Sequence, residues 1–450
     1  MHIHQITGRK DRYILSIGDL VVLMISLFIT LFARYGLEQS YYFLSLHIIP
    51  FSVVFVMSLA VFFIVGLYER EMVVSIKNFA SKLVNAQIIN GVLAVGLFYF
   101  FPEYGIAPKV TLTLYILISL VIIFMWRLLY THLFMTTGNL KALLIAHGDE
   151  ASDLWRVVMD VNQYSFRFVQ HIDPEGKEPV QLAQTIEGFV KDHNISFIVL
   201  DERHPVVAKT LPYLYGFIFQ RISFIDIREM YESVFERAPL SLLSHEWFLQ
   251  NITNFSRTSY DFLKRLMDIF LSAVLAIPTL ICLPVVWLAI KLSGDKGPLF
   301  IIQSRIGQGG QIIKIPKFRT MTKNDNGIWP KEGDNHVTKV GRILRKTRID
   351  ELPQIIAVLR GDMSLIGPRP DIIDLGHAIA KELPFYAIRN MIKPGLSGWA
   401  QIKQENPPHS LEETRERFSY DLYYVKNRSL ILDAVIALKT IKTLLSRTGK

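Results

Sequence analysis

Leu266–Leu292 reads LMDIFLSAVLAIPTLICLPVVWLAIKL, and the path of this one apolar run decides where the last third of the chain lies. It is long enough to cross a bilayer core, which takes about 20 helical residues. Basic residues flank both ends, with Arg257, Lys264 and Arg265 before it and Lys291, Lys296 and Arg305 after it. Pro278 and Pro284 interrupt its interior, where each removes a helical hydrogen bond and favours a kink. Flanks of one sign around a broken middle predict a re-entrant helical hairpin that returns to the face it entered. A plain fifth span would instead put everything after it on the opposite side.

Working outward, the first third of the chain carries four further stretches of spanning length: Tyr13 to Ala33, Leu44 to Leu67, Leu83 to Phe101 and Val110 to Tyr130. The first has no small-x-small site after it and is followed by three more, so it reads as a span and not a cleaved signal. Arg9, Lys10 and Arg12 precede it, and Arg70, Lys77 and Lys82 lie between the second and third. Arg127 and Lys141 flank the exit of the fourth, whereas the other loops carry essentially Arg34 and Lys109. Positive charge stays inside, so the amino terminus, the second loop and all that follows Tyr130 are expected in the cytoplasm. Asp19, within the first span, is expected to be paired or to face other helices.

The bulk composition agrees with a membrane protein carrying soluble parts: of 450 residues, 50% are apolar, and the net charge is +9. The excess of cations points to anionic lipid or phosphorylated substrates. Nucleic acid is not expected, because no zinc spacing or helix-turn-helix pattern accompanies the charge. Cys282 is the only cysteine, so no intrachain disulfide can form, and its apolar surroundings argue against a catalytic thiol.

After Lys141 the pattern changes to strand–helix alternation. Ala142 to Ala146, Phe166 to His171 and Ile195 to Leu200 read as strands, and Glu150 to Val161 and Val180 to His193 as helices. That order predicts a Rossmann-like α/β domain with a parallel sheet. Its first turn, His147-Gly148-Asp149-Glu150-Ala151-Ser152, lacks the second and third glycines of a pyrophosphate loop and offers acids instead. A structural or regulatory module is therefore expected there. The domain plan is a four-span α-helical bundle over 1–135, the Rossmann-like α/β domain over 136–250, and over 251–450 the re-entrant helix with a mainly helical α/β catalytic domain.

Chemistry-bearing residues concentrate in that last part. Nine cations, Lys314, Lys317, Arg319, Arg342, Arg345, Lys346, Arg348, Arg360 and Arg369, surround the adjacent acids Asp350 and Glu351. A basic face lying on anionic lipid explains some of them, but not carboxylates and glycine-proline turns set among them. Gln354 to Leu359 reads as a helix closed by Gly361, and Pro353 must sit in its first turn. The acids then lie at a helix amino terminus, where anions are favoured. On that feature alone Asp350 is better read as an N-cap. With a substrate phosphate neutralised by Arg and Lys, the same carboxylate can attack phosphorus. Glu351 could then hold a Mg²⁺ bridging a diphosphate.

Lys317-Phe318-Arg319-Thr320-Met321, Asp350-Glu351-Leu352-Pro353-Gln354, Gly361-Asp362-Met363-Ser364, Gly367-Pro368-Arg369-Pro370 and Pro394-Gly395-Leu396-Ser397-Gly398-Trp399 together resemble the motifs of the bacterial sugar transferases, the polyprenyl-phosphate sugar-1-phosphate transferases. The resemblance runs from Lys264-Arg265, with Asp268, past Asp421-Leu422-Tyr423-Tyr424 to about Thr443. The amino-terminal layout resembles the long-form members. The resemblance implies that Asp350 attacks the sugar-bearing phosphate of a UDP-sugar and expels UMP, after which undecaprenyl phosphate takes the sugar phosphate. It makes Glu351 the Mg²⁺-associated acid. Lys317, Arg319 and Arg369 match its basic positions and are expected to bind phosphate; Arg342, Arg345 and Arg348, among the cations around the acid pair, are expected as further substrate contacts. Asp362 and Ser364 are expected either to meet metal or substrate or to cap the turn after the helix. Glucose and galactose are the implied sugars, ahead of N-acetylated ones, and a homo-oligomer is compatible with the layout.

Where the family pattern leads one to expect Asn, this chain has Ala357, which removes one supporting hydrogen bond. Gly395 and Gly398 are expected in tight turns, and Trp399 at a membrane interface or in the core. His336 and His409 are expected at the surface, and Leu430 to Leu445 along the bilayer or against the core. Two other classes compete: a membrane sensor that binds a nucleotide sugar without turnover, and a transporter. The second is disfavoured because the spans hold few charges.

Overall fold

The computed structural model describes residues 9–68, 76–100, 109–134, 140–160, 164, 166–245, 247–248, 258–292, 297–321, 337–404 and 406–446. Arg70, Arg257 and Lys296 among the flanking cations, Phe101 and His336 lie outside the described residues. The chain divides into two compact units, Met1–Phe235 and Glu236–Lys450.

In the first unit, α1 (Arg9–Val65) is two helices meeting at Gly36, whose φ of 76° only glycine adopts freely. With α2 (Ile76–Phe100) and α3 (Lys109–Phe134) it supplies apolar segments of spanning length at Tyr13–Gly36, Glu38–Val65, Phe79–Phe100 and Val110–Tyr130. The second begins earlier than its hydropathy suggested, because Glu38 and Ser40 continue the helix. Leu23, Leu27, Phe51, Phe62 and Tyr115 form the bundle core, while Val56, Val92 and Met125 face outward. Apolar groups on both sides are what a lipid-facing bundle requires. Asp19 is fully buried and accepts from Arg127 at 2.6 Å, as expected of a charge inside a span.

The α/β part follows the predicted order closely. β1 (Leu140–Ile145), α4 (Asp149–Asp160), β2 (Phe166–Ile172), α5 (Pro179–His193) and β3 (Phe197–Leu200) match their sequence signals within two residues. The chain then adds α6 (Pro205–Leu214), α7 (Gly216–Phe219), β4 (Ser223–Asp226) and α8 (Ile227–Phe235). The sheet is parallel with order β2-β1-β3-β4. β3 is buried throughout and reads as a continuous apolar run, the mark of a strand covered on both faces.

In the second unit, residues from Ala238 to Phe248 pack Trp247 and Phe248 against Leu383, Tyr386 and Phe418. The long helix α9 (Thr258–Leu292) is continuous through Pro278 and Pro284. The expected hairpin turn is thus absent as a loop; any change of direction is a kink within helical backbone, since each proline deletes one hydrogen bond without ending the helix. Its 35 residues rise about 52 Å, more than the ~30 Å hydrocarbon core. Most of its middle is exposed and apolar, including Phe270, Ile277, Leu280 and Val285.

Behind it stand the antiparallel pair β5 (Phe300–Ile306) and β6 (Ile312–Phe318), then α10 (Lys339–Lys346), a 3₁₀ turn (Ile349–Gln354) and α11 (Ile355–Arg360). β7 (Ser364–Ile366), α12 (Ile373–Glu382), β8 (Gly395–Ser397), α13 (Trp399–Lys403), α14 (Leu411–Asn427) and α15 (Leu430–Ser446) complete it. β7 and β8 pair in parallel, with Ser364 opposite Gly395. The motif glycines here serve close backbone approach, not turns: a Cβ on Gly367 would stand 2.5 Å from the Lys393 carbonyl, and one on Gly398 2.4 Å from that of Gly367. Neither Gly395 nor Gly398 has positive φ, which corrects the tight-turn expectation. Trp399 is buried and donates to the Glu236 carbonyl at 2.9 Å. It belongs to the core.

Candidate active site

The 3₁₀ turn is built from both ends. Arg348 precedes it in the left-handed region (φ 57°) and offers no side-chain cap. Gly361 ends α11 at φ 96°, with the Asp362 amide closing on the Ala357 carbonyl at 3.0 Å, a Schellman-type stop. Asp350 therefore lies inside a 3₁₀ turn and caps nothing. The N-cap reading is corrected by this geometry, because Arg348 takes the cap position and the helix proper begins only at Ile355.

Glu351 is nearly enclosed and ringed by cations. It accepts from Arg369 Nη2 at 3.0 Å, and Lys317 Nζ and Arg348 Nη1 each stand 3.8 Å away. Burial opposes its charge, but Arg369 and Lys317 prevail and draw its carboxyl down to about 2. Lys317 lies at the end of β6, which packs on the 3₁₀ turn; burial, only partly countered by Glu351, lowers its ammonium to about 8. Asp350 is different. Its Oδ1 is buried with no hydrogen-bond partner, and burial together with the neighbouring Glu351 charge raises its carboxyl above the ordinary range. Lys317, Arg345 and Arg348 pull the other way. Two carboxylates thus face four cations, an excess of positive charge beside one unpartnered oxygen. Such a site is short of an anion.

The other predicted residues separate. Arg345 donates to the Thr320 hydroxyl at 2.9 Å, locked there because Gly341 lets α10 lie against the Thr320 carbonyl. The Arg319 guanidinium lies over Gly297. Arg342 is exposed on α10. Asp362 sits beyond the far end of α11 from Asp350, and its amide, not its side chain, makes the turn contact. Ser364 is buried, and its hydroxyl accepts from the Ile366 amide. Arg265 also works at that far end, donating to the Val358 and Leu359 carbonyls at 2.6 and 2.8 Å. Lys264 binds Asp433 at 2.9 Å and Asp268 accepts from the Leu365 amide at 3.0 Å. This opening motif of α9 joins the helix to the domain instead of presenting free charge. Ala357 is fully buried in α11, and His409 is exposed beside the N-cap Ser410.

Sequence reading missed the support for Arg369. Arg389 donates from Nη2 to the Arg369 carbonyl at 2.8 Å, while it also pairs with Asp371 and, at 2.7 Å, with Asp421. Tyr386 donates to Asp371 at 3.0 Å. The adjacency of Asp371 to the Gly367–Pro370 motif is the one signal that pointed here.

Among the described residues no group of three or more His, Cys, Asp and Glu side chains forms a metal site. The donor set nevertheless fits a Mg²⁺ that arrives with phosphates. Of the two acids Glu351 is the one that would hold it, since such an ion is usually bound by one or two acids plus substrate oxygens.

Fold and site define a membrane protein that carries a cation-ringed pair of carboxylates. The profile of the family described as "Bacterial sugar transferase" matches residues 259–447. The chain is 43% identical over 193 residues to the UDP-N-acetylgalactosamine-undecaprenyl-phosphate N-acetylgalactosaminephosphotransferase of Aeromonas hydrophila, covering 42% of this chain and 45% of that protein. It is 40% identical over 194 residues to the UDP-glucose:undecaprenyl-phosphate glucose-1-phosphate transferase of Caulobacter vibrioides, 42% of this chain and 72% of that one. For the enzyme of the same name from Escherichia coli the values are 39% over 186 residues, 40% of this chain and 39% of that one. The chain belongs to the bacterial sugar transferase family. Its match spans less than half the length of two of these three curated relatives.

Proposed function

We propose that the protein is an enzyme that transfers a sugar-1-phosphate from a UDP-sugar to undecaprenyl phosphate, with release of UMP, to begin assembly of an exopolysaccharide, capsule or O-antigen glycan. One observation carries this reading: the buried, unpartnered Asp350 oxygen lies next to a Glu351 held by Lys317, Arg348 and Arg369. The relatives' names supply the donor and acceptor classes.

In this mechanism the ring of cations binds the diphosphate and screens its charge from the incoming carboxylate. An Asp350 oxygen bonds to the sugar-bearing phosphorus as the bond from that phosphorus to the bridging oxygen breaks, and UMP leaves with the electron pair. An oxygen of the lipid phosphate then attacks the same phosphorus, and the Asp350 carboxylate is restored. Glu351, already compensated by three cations, stays ionised at neutral pH and holds Lys317 and Arg369 in place. Mg²⁺, which Glu351 would hold, would supply charge neutralisation when bound. Arg389 keeps Arg369 in register from behind.

The proposal places this chemistry at the cytoplasmic face of the inner membrane. There α9 re-enters the leaflet, and the three parts 1–135, 136–250 and 251–450 act as anchor, accessory domain and catalytic domain. Glucose, galactose and N-acetylated hexosamines are the donors to compare. The test is UMP release by purified protein with undecaprenyl phosphate, Mg²⁺ and a panel of UDP-sugars. Release with one donor, lost in Asp350→Asn, supports the reading; nucleotide-sugar binding without release by the wild type would favour a sensor.

A further inference from the structure

The α/β part of the first unit carries an apolar corner that the catalytic reading does not use. From the last turn of α6 to the approach to β4, Tyr213, Tyr215, Ile218 and Phe219 are 59, 60, 57 and 91% exposed. Phe217, in the same stretch, is buried in the domain core with Leu214 and Ile222, so the corner is a built surface and not a loose end. Contiguous exposed aromatic and aliphatic groups on a water-soluble face mark an interaction site. Lys209 and Arg221 are both exposed, and no acid occurs between them.

Topology gives the partner. The strands are parallel, and the register sets Ala142 opposite Phe197 and Phe197 opposite Ser223. The start of β4 is therefore level with the start of β1. α6 runs back from the end of β3 to the start of β4, which carries the Tyr213–Arg221 corner to the edge where the strands begin. β1 starts at Leu140, six residues after Phe134 ends α3, whose apolar segment closes at Tyr130. Six residues reach at most about 22 Å. The corner and the membrane exit thus share one edge of the sheet.

We propose that the Tyr213–Arg221 corner docks on the bilayer that the protein's own helices enter, its aromatic groups at the head-group level and Lys209 and Arg221 on anionic phospholipid. Aromatic side chains favour that zone, and cations next to them are drawn to the anionic leaflet. Docking would fix the sheet domain against the membrane and limit its swing about the short connection from α3.

Cys282→Ala gives a cysteine-free full-length protein for the test. A spin label is placed through Phe219→Cys, independently through Tyr215→Cys, and on the opposite strand edge through Glu202→Cys, in nanodiscs of phosphatidylethanolamine and phosphatidylglycerol. Collision rates are then measured with oxygen, which concentrates in lipid, and with a water-soluble nickel chelate. Positions 219 and 215 are expected to favour oxygen over nickel at least ~3-fold more than position 202. The preference should grow with phosphatidylglycerol content and shrink in a Lys209→Glu/Arg221→Glu background. Nickel access at 219 and 215 equal to that at 202 would overturn the proposal. So would exclusion of both reagents that ignores lipid composition, which would indicate a protein partner such as a second copy.

Discussion

Two clusters in the second unit use the same side chains for opposite ends. Around Arg389, two carboxylates, Asp371 and Asp421, close on one guanidinium, which also donates to the Tyr386 hydroxyl and the Arg369 carbonyl. Around Glu351, cations outnumber acids and the Asp350 Oδ1 is buried without a partner. The first cluster balances its charge within the protein, although Arg389 Nε and Asp421 Oδ2 are themselves buried without a hydrogen bond. The second holds more cations than acids, a surplus that an anion from outside would balance. Charge stoichiometry and a carboxylate outside every ion pair, not the presence of buried ion pairs or of one open polar atom, distinguish the reactive network from the structural one.

The comparison is broken most severely at Asp350. Asp350→Asn keeps size and shape but removes the nucleophile, and turnover should fall on the order of 10⁴-fold with unfolding stability nearly unchanged. UMP-release kinetics beside a denaturant titration in detergent check this pair of outcomes. Arg389→Leu should do the reverse. It leaves Asp371 and Asp421 buried without their cation, so stability should drop by about 3–5 kcal/mol. Activity lost with it should return in part in an Asp371→Asn/Arg389→Leu/Asp421→Asn combination if the loss is structural.

A smaller effect is expected at Arg369, which touches both clusters. Arg369→Ala should lower kcat/KM by about 10²–10³-fold, the usual scale for one lost charge-stabilising donor. Its stability change should be well below that of Arg389→Leu, because Lys317 and Arg348 still face Glu351. The gentlest probe is pH. Lys317 has an ammonium lowered to about 8; it is charged below that value and loses its proton as pH rises through it. The donor's phosphates then lose one cation, so kcat/KM should fall on the alkaline side near pH 8. Lys317→Arg, which stays charged, should move that limb upward.

Much of this was legible in the sequence. The strand–helix alternation after Lys141 gave a parallel sheet because each strand is a short apolar run bounded by turn residues. The acid pair was legible because Pro353 and Gly361 delimit the short helix that follows it. The Arg389 network was not, since Asp371, Arg389 and Asp421 are far apart along the chain and only packing of α14 on the intervening turn unites them. The motif glycines were misread as turns because close backbone approach and positive φ leave the same residue in a sequence. Lys264 and Arg265 read from sequence as basic flanks of the apolar run, yet Asp433 and helix-end carbonyls claim them.

The most direct measurement is made without the lipid acceptor. Protein mixed with a competent UDP-sugar and Mg²⁺, quenched within milliseconds and digested, is analysed by mass spectrometry for peptides bearing residue 350. A phosphosugar adduct on Asp350, formed together with no more than one equivalent of UMP and discharged when undecaprenyl phosphate is added, is the expected result. UMP release that always requires the lipid, with no adduct at any time point, would contradict covalent catalysis by Asp350.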